Sequence, residues 1–83
     1  MKRLLRFTAS WCIPCRALAI NLESANFTLK FPIEVIDIDT HPEITAEYGI
    51  RSVPALVLLD ENIEVKRMIG NKSSTEIREW LES

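Results

Sequence analysis

The chain has 83 residues, a formal net charge of −2 and 47% apolar residues. These values favour one globular domain over residues 1–83, with a small core, because a chain of this size buries only about 60–65% of its unfolded surface. Charges of both signs are interspersed, with neither the basic block expected of a nucleic-acid-binding protein nor a long acidic tail. We therefore expect a monomer with no nucleic-acid partner.

The first six residues have the positive charge that begins a secretory signal peptide, but Arg6 interrupts the apolar run that should follow. No apolar run approaches the length that crosses a bilayer. We therefore expect a cytoplasmic protein with no membrane partner, in a compartment that keeps thiols mostly reduced.

The apolar pattern predicts the element order β-α-β-α-β-β-α. Strands are expected at residues 3–8, 33–38, 55–59 and 63–69, and helices at residues 12–26, 40–48 and from 73 onward. The early β-α-β unit requires parallel strands and a right-handed crossover, and the last two strands form a hairpin. The sequence thus predicts an α/β fold, a four-stranded mixed sheet with helices on both faces.

Local patterns add detail to these elements. The second strand is apolar enough to be covered on both sides. Thr40–Glu43 and Ser73–Glu76 both match the capping-box pattern at a helix start, and Gly49 suits a helix C-terminus. The core-facing stripe of the first helix is assigned to Ile13, Ala17, Ile20 and Ser24, widened by Leu18, Leu22 and Ala25.

The motif with the clearest chemistry is Trp-Cys-Ile-Pro-Cys at residues 11–15, which contains the only two cysteines. It lies between a predicted strand and a predicted helix, where a Cys-x-x-Cys pair is typical of redox proteins. Cys12 at the helix N-terminus would be an exposed attacking thiolate, and Cys15, one turn inside, would resolve the mixed disulfide. Pro14 suits the first turn because it has no N–H to lose, and Trp11 offers a flat apolar surface beside the sulfur.

Two other interpretations of the cysteines remain open at this point. They could be a buried pair that only packs, or two ligands of a zinc site with His41 as a third. The chain has no second Cys-x-x-Cys for a complete zinc site, so we expect no metal and no bound cofactor. A disulfide closing so short a loop would also add only about 2 kcal/mol of stability, which favours a pair that is oxidised and reduced in turn.

With this motif, the chain resembles the thioredoxin family, and a second block, Tyr-Gly-Ile-Arg-Ser-Val-Pro at residues 48–54, strengthens the resemblance. It implies a cis bond between Val53 and Pro54, with the Val53 backbone pairing with a substrate strand, and Gly70 lining the same peptide-binding surface. The alternatives are a trans proline that starts a strand and an ordinary turn glycine. The resemblance covers almost the whole chain but not the family's usual N-terminal strand and helix.

One position departs from the family pattern. Thioredoxins usually have a buried aspartate six residues before the first cysteine, where this chain has Arg6, and the partner lysine is replaced by Val35. A cation near the dithiol would stabilise the thiolate. Alternatively, Arg6 extends to water, with Glu34 or Asp37 as possible partners, and we favour this second interpretation.

The resemblance implies a thiol–disulfide oxidoreductase that reduces protein disulfides. It also implies an NADPH-linked thioredoxin reductase as electron donor and clients such as ribonucleotide reductase. One alternative is a glutaredoxin-like enzyme that uses glutathione, although Trp11 and Ile13 look more like thioredoxin. Another is a docking module without catalysis, which would not need both cysteines. Whether Ile13, where many thioredoxins have glycine, narrows substrate choice is left open.

Overall fold

The computed structural model describes residues 1–83, and its elements occur in the predicted order. The strands are β1 (Lys2–Thr8), β2 (Ile33–Asp37), β3 (Ala55–Asp60) and β4 (Ile63–Ile69), and the helices are α1 (Ile13–Ala25), α2 (Pro42–Glu47) and α3 (Ser74–Glu82). None of the three helices is long and apolar enough to span a bilayer.

The four strands form one mixed sheet in the order β2-β1-β3-β4. β1 and β2 are parallel, so α1 is the crossover between them, and β3 pairs antiparallel with both β1 and β4. The turn between β3 and β4 has positive φ at Glu61 and Asn62, as a two-residue turn of type I′ requires. The predicted α/β architecture is confirmed.

Alternation along β1 divides the core between the two faces of the sheet. Leu4 belongs to a buried cluster with side chains of α1 and α3, such as Leu22 and Ile77. Leu5 and Phe7 belong to a second cluster, against which Ile44 and Tyr48 from α2 and its C-terminus pack. Helices therefore cover both faces, as predicted.

The main row predicted for the core-facing stripe of α1 is wrong, whereas Leu18, Leu22 and Ala25, predicted to widen it, are buried. The buried residues of this helix are Cys15, Leu18, Leu22 and Ala25, whereas the residues assigned to the main row are solvent-exposed: Ile13, Ala17, Ile20 and Ser24. The two sets lie on different faces of the helix, and the face with the leucines packs on the sheet. α1 thus has a second apolar face that the core does not use.

The prediction that β2 is covered on both sides is also wrong. β2 is an outer strand of the sheet, and Ile36 is its only buried residue, while Ile33 and Val35 are exposed. The helices pack over the inner strands β1 and β3, so one face of β2 stays open to solvent.

The two predicted capping boxes have different outcomes. In α3, the Ser73 hydroxyl accepts from the Glu76 N–H and the Glu76 carboxylate accepts from the Ser73 N–H, which confirms the box. In α2, the N-cap is His41 and its side chain caps nothing. The Thr40 hydroxyl instead donates to the Asp37 carbonyl, so the predicted box at residues 40–43 is wrong. Gly49, directly after the α2 C-cap, has φ +62° as predicted for a helix end.

Candidate active site

The cysteine pair lies where β1 and β2 end. The two strands are parallel, so their carboxyl ends meet at one edge of the sheet, the usual place for a site in an α/β fold. A short turn after β1 leads to Cys12, whose N–H donates to the Ala9 carbonyl. α1 begins at the next residue with Cys12 as its N-cap.

Cys12 and Cys15 form a disulfide, with their Cα atoms 5.3 Å apart. The Cys15 N–H donates to Cys12 Sγ at 3.2 Å, and Pro14 lies in the first turn of the helix, as predicted. The helix N-terminus favours negative charge at this sulfur, and the same N–H is placed to donate to a Cys12 thiolate after reduction. The local structure therefore supports a dithiol that is readily oxidised and reduced.

The expected exposure of Cys12 is wrong for the disulfide form. The two cysteines are only 4% and 1% exposed, respectively. They form a small cluster with Ala9, against which Ile38 and Val53 pack. Since the cluster lies at the sheet edge, Cys12 remains the more accessible of the two, although by a small margin.

Val53 packs against this cluster, and the peptide bond that joins it to Pro54 is cis, as the resemblance implies. Pro54 is buried, and its carbonyl accepts from the Gly70 N–H at 2.9 Å. The Val53 N–H and carbonyl take no part in the backbone hydrogen bonds outside the helices and strands. They are therefore free to pair with an extended peptide.

Trp11 and Ile13 flank Cys12 and are both exposed. The Trp11 indole Nε1–H donates to Asp39 Oδ2 at 3.0 Å, and the Asp39 N–H in turn donates to Asp37 Oδ1 at 2.8 Å. The loop after β2 thus holds the indole in place. An exposed apolar surface next to the disulfide is suited to contact with a protein substrate.

Asp39 is the residue of the site that sequence reasoning missed. A signal was present, because residues that follow two neighbouring parallel strands meet at one edge of the sheet. Trp11 follows β1 and Asp39 follows β2, so the predicted parallel pair already brings their loops together. An indole N–H next to a carboxylate then makes a charge-assisted hydrogen bond.

Arg6 lies on β1, on the same face as Leu4, and its Cα partners in the neighbouring strands are Val35 and Leu56. It is half-buried, and burial lowers the pKa of its guanidinium from the ordinary value. Neither predicted partner binds it: Glu34 pairs with Arg3, and Asp37 accepts from the Asp39 N–H.

Arg6 makes no side-chain hydrogen bond or ion pair within the chain. Every buried side-chain nitrogen and oxygen of the chain does have a hydrogen-bond partner, so the guanidinium nitrogens of Arg6 are not buried and reach solvent. Arg6 is therefore a half-buried residue whose charge is open to water.

No group of three or more His, Cys, Asp and Glu side chains is arranged to hold a metal ion. His41, the possible third zinc ligand, is at the N-cap of α2, with Nδ1 2.9 Å from the Thr40 hydroxyl.

A reversible disulfide at a helix N-terminus, beside free backbone groups at a sheet edge, defines a thiol–disulfide oxidoreductase. The sequence model of the thioredoxin family matches residues 1–83. The chain belongs to the thioredoxin family, and its activity is that of a thioredoxin-type protein-disulfide oxidoreductase rather than of a glutaredoxin.

The relatives are consistent with this assignment. The chain is 34% identical over 80 residues to a thioredoxin from Rickettsia bellii, covering 94% of this chain and 76% of that one. It is 37% identical over 81 residues to a thioredoxin-like protein from Synechocystis sp., covering 95% and 77%.

Solved structures also match the fold. A thioredoxin mutant from Halobacterium salinarum superposes with a TM-score of 0.89 at 28% identity, covering 98% of this chain and 72% of that one. Thioredoxin 1 from Thermosipho africanus gives 0.85 at 28% identity, covering 96% and 90%.

Proposed function

We propose that Cys12 is the nucleophile and Cys15 the resolving thiol in the reduction of client disulfides. The Cys12 thiolate attacks one sulfur of a client disulfide, forming a mixed disulfide and releasing the other client sulfur as a thiolate. The Cys15 thiolate then attacks Cys12 Sγ, which frees the second client thiol and re-forms the Cys12–Cys15 disulfide. Two electrons pass to the client. The observation that carries this order is the position of Cys12 at the N-cap, where its sulfur accepts the Cys15 N–H.

Client binding is proposed to use the surface around the disulfide. The free backbone groups of Val53 would pair with an extended client segment, positioned by Pro54 and by Gly70, whose N–H binds the Pro54 carbonyl. Trp11 and Ile13 would contact apolar client side chains on the other side of Cys12. This division of roles suits a substrate recognised mainly by its main chain.

Arg6 is proposed to support the site by packing rather than by charge. Its stem lies on the face of β1 that α1 covers, and its guanidinium reaches water. Arginine cannot accept a proton, so the proton of the resolving thiol leaves through water and not through this side chain.

Members of the family act on disulfide substrates and are reduced by thioredoxin reductase. We propose an NADPH-linked thioredoxin reductase as the electron donor here, and ribonucleotide reductase as one client. We place the reaction in the cytoplasm, because a dithiol that returns to its reduced form needs a compartment that keeps thiols reduced. We also propose that residues 1–83 act as one domain.

The test is insulin reduction with two electron donors, NADPH plus thioredoxin reductase or glutathione plus glutathione reductase. We expect turnover with the first donor and little with the second. Turnover with glutathione alone would contradict the proposed donor. The reduction potential of the pair gives a second measure, since values near about −270 mV are typical of thioredoxin and values of about −200 to −230 mV of glutaredoxins.

A further inference from the structure

The outer face of α1 and the turn directly after it carry a row of residues that no part of the chain covers. Ile13, Ile20 and Phe27 are 75%, 69% and 75% exposed, and Ala17 and Ser24 between them are also exposed. We call these five residues the outer stripe. Large exposed apolar side chains in a continuous row indicate an interaction surface.

The outer stripe has the spacing of a coiled-coil seam. Its members follow one another at intervals of four and three residues, which is the repeat of the a and d positions of a heptad. Ile20, Glu23, Ser24 and Phe27 line an open depression on the surface. The first three have the helical spacing of a hole that receives a side chain from a facing helix, and Phe27, in the turn after α1, completes its lining.

We propose that the outer stripe is a self-association surface, on which α1 of a second copy of this chain packs antiparallel about a two-fold axis. In a two-fold interface the same patch serves both subunits, so it must be complementary to itself. The outer stripe meets this requirement in both size and charge. The proposal replaces the monomer expected from the sequence by a weak, reversible dimer.

Size complementarity comes from the alternation of large and small residues. In an antiparallel pair, each a position faces a d position of the other helix. With the two-fold axis between Leu18 and Ala19, Ile20 faces Ala17 of the second copy, and Ile13 faces its Ser24. Every isoleucine then lies against a small side chain, which lets the two helices approach closely.

The charges beside the outer stripe favour this register over one shifted by a heptad. Arg16 and Glu23 border the outer stripe, are both exposed, and belong to none of the ion pairs within the chain. In the proposed register, Arg16 of each copy lies across from Glu23 of the other, giving two symmetric ion pairs. A shift by one heptad also matches large to small residues, but it brings the two Glu23 carboxylates together, which is unfavourable.

The contact spans about four helical turns of each copy, which is less area than a stable obligate dimer buries. We therefore expect a dimer that exchanges rapidly with the monomer and forms only at high protein concentration. It would cover Ile13, next to Cys12, and bring Phe27 towards the loop of the second copy that holds Trp11. Self-association would thus compete with clients. This competition depends on the client surface proposed above, whereas the self-association does not.

Sedimentation of the reduced protein, over a range from micromolar to millimolar, tests the self-association directly. We expect the average mass to rise from 9.5 kDa towards twice that value. Ile20→Lys should remain monomeric at every concentration, because it places two like charges in the seam. Ile63→Lys is the matched control, since Ile63 is 70% exposed but lies on β4, and it should behave like the parent.

The register is tested by exchanging charges. Arg16→Glu should weaken the dimer at least several-fold, and the double variant Arg16→Glu with Glu23→Arg should restore it, because the ion pairs then form in reverse. A parent that stays monomeric throughout would overturn the proposal and leave the outer stripe to a different partner. A dimer that survives Ile20→Lys, or a double variant weaker than the single one, would also overturn it. Insulin reduction at low protein concentration, where all variants are monomeric, separates these outcomes from a failure of the proposed function.

Discussion

The indole Nε1–H of Trp11 donates to Asp39 Oδ2 at 3.0 Å, across two loops that follow neighbouring parallel strands. This bond fixes the plane of a large exposed side chain next to Cys12. An aromatic ring that is already fixed in one orientation offers contact area to a client, and no entropy is lost in ordering the ring when the client binds. Asp39 is therefore a positioning residue for the client surface and takes no part in the thiol chemistry.

Replacing Asp39 by Ala should raise KM for protein disulfides by about two- to twelvefold, the effect of one hydrogen bond of about 0.5–1.5 kcal/mol, with little change in kcat. The indole N–H resonance of Trp11 in a ¹H–¹⁵N NMR spectrum should move while that of Trp80 stays. Asp60→Ala is the control, because Asp60 pairs with the N-terminal amine at the opposite edge of the sheet. An unmoved Trp11 resonance would contradict the positioning role.

Gly49 and Gly70 form a matched pair for testing the client surface. Both have positive φ, +62° and +89°, and a Cβ at either position would meet no atom within 4 Å. Each Gly→Ala change should cost about 1–2 kcal/mol, because side chains disfavour this backbone region. Only Gly70→Ala should also lower insulin reduction, since the strain of an alanine at this φ would shift the N–H that binds the carbonyl of Pro54, the residue after Val53. Equal activity losses in both variants would show that stability alone explains the effect.

Arg6 provides a test of packing against charge. Arg6 is only half-buried, its guanidinium reaches water and it binds no carboxylate of the chain, so Arg6→Met, which keeps a long apolar stem, should leave Tm within a few degrees of the parent. The pKa of the Cys12 thiol, followed by its ultraviolet absorbance as thiolate, should not change. Arg3→Met is the control on the opposite face of β1 and loses the pair with Glu34 instead. A raised Cys12 pKa in Arg6→Met would mean that the cation stabilises the thiolate.

The capping box of α3 predicts a stability effect that depends on pH. Ser73→Ala should cost about 1 kcal/mol, lowering Tm by about 4–8 °C in a domain of this size. Hydrogen bonds from the Ser73 N–H and hydroxyl hold the pKa of Glu76 below its ordinary value. Its contribution is therefore complete above the pKa of an unfolded glutamate and is lost as pH falls through the lowered pKa of the folded state.

The difference in Tm between the parent and Ser73→Ala should accordingly narrow in acid. Ser74→Ala, one residue along in the same turn, removes a hydroxyl that makes no hydrogen bond within the chain and should change Tm little. A difference between parent and Ser73→Ala that is constant from neutral pH to about pH 3 would contradict the contribution of the Glu76 carboxylate, whose unfolded pKa is about 4.3.

The topology could be predicted because each element has a local pattern, and the parallel start followed by a hairpin leaves few arrangements. The face of α1 that packs on the sheet could not be predicted. This helix carries two apolar rows, one with Leu18 and Leu22 and one with Ile13 and Ile20, and periodicity alone does not say which row meets the sheet. In the fold, the row with the leucines is buried together with Cys15 and Ala25.

The other misses have the same origin in tertiary arrangement. Nothing in residues 33–38 shows that β2 is an outer strand, because strand order is set by the whole sheet. The capping box predicted for α2 is wrong because the Thr40 hydroxyl donates to the Asp37 carbonyl instead. The active-site cysteines were predictable because their spacing is local, whereas the contact between Trp11 and Asp39 joins residues far apart in the chain.

The central claim is that Cys12 attacks and Cys15 resolves, and trapping the mixed disulfide tests it most directly. Each cysteine is replaced by Ser in turn, the variant is reduced, and it is mixed with a protein disulfide for analysis by intact mass spectrometry. We expect Cys15→Ser to accumulate a covalent adduct through Cys12, and Cys12→Ser to form little, because Cys15 is 1% exposed and one turn inside the helix. An adduct that accumulates on Cys15 in Cys12→Ser, and not on Cys12 in Cys15→Ser, would contradict the assignment.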